Sequence, residues 1–218
     1  MKIYKFATGD SNKYAYASGY APFDGMSFFD EFPEQVKERE MAFWAVNPAP
    51  PGLCIDDSGS RWPDLMYCGG TPPSFVFSRK VIDSIAAHGI PVKRITPIPV
   101  GSIASEKLKT VPRPDYFVIE ALPGISLDYA ASRVAVDADG NPDFSAPRGN
   151  PPPILQYDPA TWTGADLFCQ ANGPYGPHCL DILCTERVKE IAQRDGWTHV
   201  SFNRVRVKGV NPFTGLPE

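Results

Sequence analysis

Apolar residues along this chain follow two periods, and the two meet in a strand–helix unit that occurs twice. One copy runs from Phe75 to Gly89 and the other from Ile182 to Gly196. They align without a gap, pairing Ser78 with Thr185, Val81 with Val188, Asp83 with Glu190 and Gly89 with Gly196. Each copy opens on consecutive apolar residues, Phe75-Val76-Phe77 and Ile182-Leu183-Cys184, which predicts a short buried strand. Apolar positions then recur at helical spacing: Val81, Ile82, Ile85 and Ala86 in one copy, Val188, Ile191 and Ala192 in the other. Ser78 and Thr185 are expected to cap these helices, the hydroxyl accepting a first-turn N–H. Gly89 and Gly196 stand where a left-handed residue ends a helix.

The same reading extends along the chain. Alternating aromatics Tyr4, Phe6, Tyr14, Tyr16 and Tyr20 predict one or two short strands. A helical pattern follows from Glu31 to Trp44, with Pro33 in its first turn and Val36, Met41 and Trp44 on an apolar face. Asn47-Pro48-Ala49-Pro50-Pro51-Gly52 breaks it as a linker. Leu65 to Cys68 predicts a short strand. Ile90 to Val100, with three prolines, reads as an edge strand or extended segment. Asp115 to Leu122 is apolar on both faces, as in a strand buried on both sides. Ala131 to Val136 predicts a strand leading into a turn at Asp137-Ala138-Asp139-Gly140-Asn141. Residues 145–153 predict a loop. Trp197 to Val207 alternates, with its register slipping at Asn203-Arg204. The expected fold is α+β: a mixed, mainly antiparallel sheet with a few short helices and two similar strand–helix units. The expected layout is an N-terminal lobe over residues 1–60 and an α+β domain over 61–218, together one compact unit.

Composition narrows the function classes. The 218 residues are 43% hydrophobic and 21% charged, which suits a globular chain. The 24 prolines and 18 glycines imply long irregular connections rather than a helical bundle. A net charge of -4 is a poor basis for nucleic-acid binding, which needs clustered cations. Residues 1–10 lack the apolar run of a secretory signal, and no window approaches the roughly 18 apolar residues of a membrane span, so a cytoplasmic location is expected.

Candidate chemistry is sparse. Five cysteines at irregular spacing do not form a disulfide framework. Cys169, His178, Cys179 and Cys184 match no common zinc module, and the expected reading is a buried cysteine cluster with no metal. Phosphate-loop and dinucleotide fingerprints are absent, so no cofactor is expected. A small hydrolase with Cys179 or Cys184 as nucleophile and His88, His178 or His199 as base is an alternative without an oxyanion signature. His88 sits in the last turn of a helix, where a structural role fits the dipole. Ser78-Arg79-Lys80 opens a helix with two cations, as solvated or paired charges or as an anion site. The acidic residues Asp56, Asp57, Asp137 and Asp139 lie in expected loops, and are the candidates for meeting a basic partner.

Several motifs occur in order: Trp62-Pro63-Asp64, Phe75 to Ser78 leading into Val81 and Ile85, and Asp115 to Ile119 followed by Leu127-Asp128 and Ser132. Leu167-Phe168, Ile182 to Val188, Gly196-Trp197-Thr198 and Val200-Ser201-Phe202 complete the series. Together they resemble a bacterial immunity-protein family of polymorphic-toxin systems, catalogued as family eleven. The resemblance implies a non-enzymatic protein that binds and neutralises a cognate toxin by direct contact. It implies no catalytic residues and no cofactor, with specificity on loops. A binding module without a toxin partner is the further alternative.

Overall fold

The computed structural model describes residues 1–9, 12–21, 34–47, 49–68, 75–138, 140, 142–143, 154–172 and 182–210. Among these, the first half of the chain contributes β1 (Ile3–Thr8), β2 (Ala17–Ala21), α1 (Glu34–Val46), β3 (Gly52–Ile55), β4 (Leu65–Tyr67), β5 (Phe75–Ser78), α2 (Arg79–Ala87), β6 (Arg94–Ile98), β7 (Val100–Ile103) and α3 (Glu106–Lys109). The second half contributes β8 (Tyr116–Glu120), β9 (Leu122–Leu127), α4 (Tyr129–Ser132), β10 (Gln156–Asp158), β11 (Leu167–Gln170), β12 (Ile182–Thr185), α5 (Glu186–Arg194), β13 (Val200–Arg204) and β14 (Arg206–Val207). Helices are few and short and the sheets are mixed, so the fold is α+β.

The chain divides into two compact units, neither of them one contiguous stretch. The first takes Met1–Phe6, Ala121–Glu190 and Phe202–Glu218, and the second takes Ala7–Glu120 and Ile191–Ser201. In the first unit the strands run in the order β13-β1-β12-β11-β9-β10-β14. β1 is antiparallel to β12, with Ile3 opposite Thr185 and Tyr4 opposite Cys184. Ile3, Ile125, Phe168 and Leu183 are fully buried at its core. The second unit has a four-stranded order β4-β5-β8-β6 and a three-stranded order β2-β3-β7. A parallel bridge between Ala17 and Cys68 links them. Its core gathers Leu53, Met66, Val76, Tyr116 and Val118, and the Tyr116 hydroxyl donates to Pro63 O at 2.8 Å.

Local chemistry accounts for the main helices. Val81, Ile82 and Ile85 of α2 are buried. Gly89 and Gly196 both adopt φ +63. The next amides, Ile90 N and Trp197 N, donate back to Ile85 O and Ala192 O at 2.9 Å. These reverse-turn closures satisfy helix-end carbonyls, and a left-handed residue is needed to make them.

Two local expectations change. Residues 131–136 do not form a strand. The Asp128 carboxylate instead accepts Ala131 N at 2.8 Å and caps α4, which ends at left-handed Arg133. Only Val136 pairs, in a bridge to Pro142, and Gly140 N donates to Asp137 O across the expected turn. Met41 of α1 is exposed rather than on a buried face, as are Phe43 and Val46. Pro33, Asp139 and residues 145–153 lie outside the described residues.

Candidate functional site

Both strand–helix junctions are held by an aspartate that precedes the neighbouring strand. Asp64, just ahead of β4, accepts from Ser78 Oγ at 2.6 Å, while Ser78 N donates to Asp64 O at 2.9 Å. Its other carboxylate oxygen accepts from Thr198 N at 2.8 Å and Thr198 Oγ1 at 3.0 Å, and lies 3.2 Å from Lys80 Nζ. Asp166, just ahead of β11, repeats the arrangement: Thr185 Oγ1 at 2.6 Å, Arg187 Nη1 at 2.5 Å, and Thr185 N donating to Asp166 O at 2.9 Å. Ser78 therefore makes no side-chain cap bond, and Thr185 directs its hydroxyl in the same way. The charged acceptor outcompetes the cap, because a hydrogen bond to a carboxylate is about twice as strong as a neutral one.

The junctions diverge at the first helical residue. Glu186 opens α5, bonds Lys2 at 2.8 Å and accepts from Tyr4 Oη at 3.2 Å. The Lys2 hydrogen bond holds its carboxyl below the usual range. Arg79 opens α2 with the opposite charge. Its guanidinium sits 4.1 Å from the centre of the Phe117 ring and 3.8 Å from Asp115. A cation there opposes the helix dipole by a few tenths of a kcal/mol, which the ring contact offsets by about 0.5–1 kcal/mol.

Arg79 faces an open groove of about 690 Å³ in the second unit. Pro51, Pro97, Pro99 and Pro114 line it, and Phe117 is among its aromatic residues. Prolines offer no backbone N–H, so the groove cannot add a strand at these positions. Its charged groups are Arg79, Arg113 and Asp115, a net positive set. Arg113 is exposed and makes no hydrogen bond or ion pair with any described residue.

A second polar cluster joins α2 to the end of α5. Ser84 Oγ donates to Asp195 at 2.6 Å and accepts from Trp197 Nε1 at 3.2 Å, and His88 Nε2 lies 3.3 Å from the same carboxylate. Ser84 gives its proton to Asp195 rather than to His88, so these three residues lack the proton path of a serine nucleophile. Ser84, Arg194 and His88 hold the Asp195 carboxyl below its usual range, Ser84 most. His88 is thus a helix-end residue with a structural partner.

The cysteine cluster is only partly described. Cys169 and Cys184 are buried on adjacent strands, while His178 and Cys179 lie outside the described residues. Burial pushes the Cys184 thiol up, away from the thiolate a nucleophile or metal ligand needs. Among the described residues no three His, Cys, Asp or Glu side chains are grouped to hold a metal. His199 sits at φ +58, stacks on Tyr14 at 4.8 Å and has a buried Nδ1 with no hydrogen-bond partner among the described residues. Burial lowers its pKa.

Of the acidic candidates, Asp56 is half-buried and Asp57 exposed after β3 in the second unit. Asp137 is exposed in the first unit, and Asp139 lies outside the described residues. Sequence reasoning missed the groove and both junction aspartates. One signal was present: Asp56 and Asp64-Leu65 recur at the same spacing as Asp158 and Asp166-Leu167. No helix among the described residues is long and apolar enough to cross a membrane. No protein-family model matches the chain, and no curated protein matches it.

Proposed function

We propose that this protein is an immunity-type inhibitor that neutralises a cognate bacterial toxin by direct contact in the cytoplasm. The observation that carries the reading is the proline-lined groove with Arg113 paired to no described residue and Arg79 at 3.8 Å from Asp115. The occupant it fits is an extended acidic segment of the partner. Arg79 already pairs with a carboxylate beside it, and two guanidiniums leave donors free for more. The rigid walls lose little entropy on binding, and the exposed Pro51, Pro97 and Pro99 supply apolar contact. This basic groove, rather than the acidic turns, is the surface on which the reading rests. The ordered motifs that resemble the immunity family support the toxin as the partner.

The test is co-expression followed by a binding assay. A protein that arrests growth alone, is neutralised by this chain and binds it stoichiometrically supports the reading. Arg113→Glu should then weaken that binding at least tenfold, about 1.4 kcal/mol, and wild-type binding should fall with added salt. A captured partner that binds Arg113→Glu as tightly as wild type would remove the groove from the account. Absence of any neutralised partner would remove the inhibitor reading itself.

A further inference from the structure

We infer that the whole chain is two copies of one seven-stranded design that have exchanged their first strands. The correspondence runs beyond the strand–helix repeat. Advancing each strand of the second unit by seven turns its order, β6-β8-β5-β4 joined through Ala17–Cys68 to β2-β3-β7, into β13-β1-β12-β11-β9-β10-β14, provided β8 maps onto β1. The first unit has that order. The senses of pairing agree. β8–β5 and β1–β12 are antiparallel, as are β4–β5 and β11–β12, and β2–β3 and β9–β10. β3–β7 and β10–β14 are parallel, and the parallel bridge of Ala17 to Cys68 stands where β9 runs parallel to β11.

Residues follow the same map. Leu53, Asp56, Asp64 and Leu65 align without a gap with Leu155, Asp158, Asp166 and Leu167. Ser78 faces Tyr116 as Thr185 faces Ile3. The Arg79–Asp115 pair corresponds to Glu186–Lys2 with its charges reversed. By this map β1, from the first copy, sits between strands of the second, and β8, from the second copy, sits between strands of the first.

The length of one connection explains the exchange. β8 ends at Glu120 and β9 begins at Leu122, with Ala121 alone between them. The slot that β8 would fill in its own copy lies three strands from β9, past the positions of β12 and β11. Three strand spacings are about 14 Å, whereas two residue steps reach about 7 Å. β8 therefore cannot enter its own copy's sheet. It occupies the equivalent slot in the first copy, and β1 fills the slot left vacant. The connection from Thr8 to Ala17 is long enough to permit this. Exchange of an identical element costs little because both slots offer the same pairing.

The native Cys184 makes the exchange testable in the full-length chain, because Tyr4 lies opposite it. Tyr4→Cys should form a disulfide with Cys184 on mild oxidation, seen by peptide mapping in a species of single-chain mass. Free thiols in the folded variant, or a bond joining two chains, would overturn the inference. Should the variant fail to fold, hydrogen exchange on the wild-type protein decides. Amides of residues 3–6 and 116–120 should exchange as slowly as those of β12 and β5. Unprotected rates at residues 3–6 would overturn it.

Discussion

Gly52 adopts φ +108, and a Cβ there would lie 2.2 Å from Pro99 O. The close approach lets Leu53 N donate to Pro99 O at 2.8 Å and starts the parallel pairing of β3 with β7 beside the groove. Gly52→Ala should cost about 2–4 kcal/mol through combined strain and clash, read as a shifted urea midpoint. His199 presents the opposite case, a side chain held in the left-handed region. Its pKa is depressed by burial, so the unfolded chain binds the proton more readily. Stability from this group is present above the unfolded pKa of about 6.5 and is lost as pH falls through the folded value. Asn tolerates the left-handed conformation. His199→Asn should therefore remove the stability loss between pH 7.5 and pH 5, and an unchanged pH profile would contradict this. Neither backbone conformation was legible in the sequence: Gly52 read as the end of a linker, and nothing near His199 announces a positive φ.

At the scale of elements, two aspartates fix how each strand enters its helix. The carboxylate of Asp64 meets four donors, Ser78 Oγ, Thr198 N, Thr198 Oγ1 and Lys80 Nζ, and the residue is largely buried. Asp166 has Thr185 and the exposed Arg187. Asp64→Ala should cost about 2–3 kcal/mol by leaving buried donors unpaired. Asp166→Ala should cost about 1–2 kcal/mol, since its cation returns to water. Equal losses in denaturant melts would mean that Thr198 contributes little. The helices themselves were legible, because stripe and terminal glycine lie within one short window. The cap chemistry was not. Whether a serine hydroxyl meets its own helix or a carboxylate depends on Asp64, which stands ahead of a different strand.

Across the whole molecule, Asp128, Glu186 and Asp195 titrate below their usual range, held chiefly by Ala131 N–H, Lys2 and Ser84 respectively. Their unfolded forms bind protons first as pH drops below about 4. Stability should then fall steadily as pH falls through the folded values, measurable as urea midpoints at pH 6 and pH 3. A flat acid limb would contradict it. Strand exchange adds a crosswise expectation. Ile3→Ala, in a fully buried residue, should cost about 2–4 kcal/mol. Its faster hydrogen exchange should appear in β9, β11 and β12, strands of the opposite half of the chain. The α+β class, the two strand–helix units and their glycine stops are legible in the amino-acid order, since each depends on residues a few positions apart. Which strands adjoin, where β1 lies and that Arg79 and Arg113 share a groove emerge from the fold alone. Those outcomes rest on pairings such as Ile3 with Thr185, for which two equivalent slots exist. No local pattern distinguishes the slots; the single residue between β8 and β9 does.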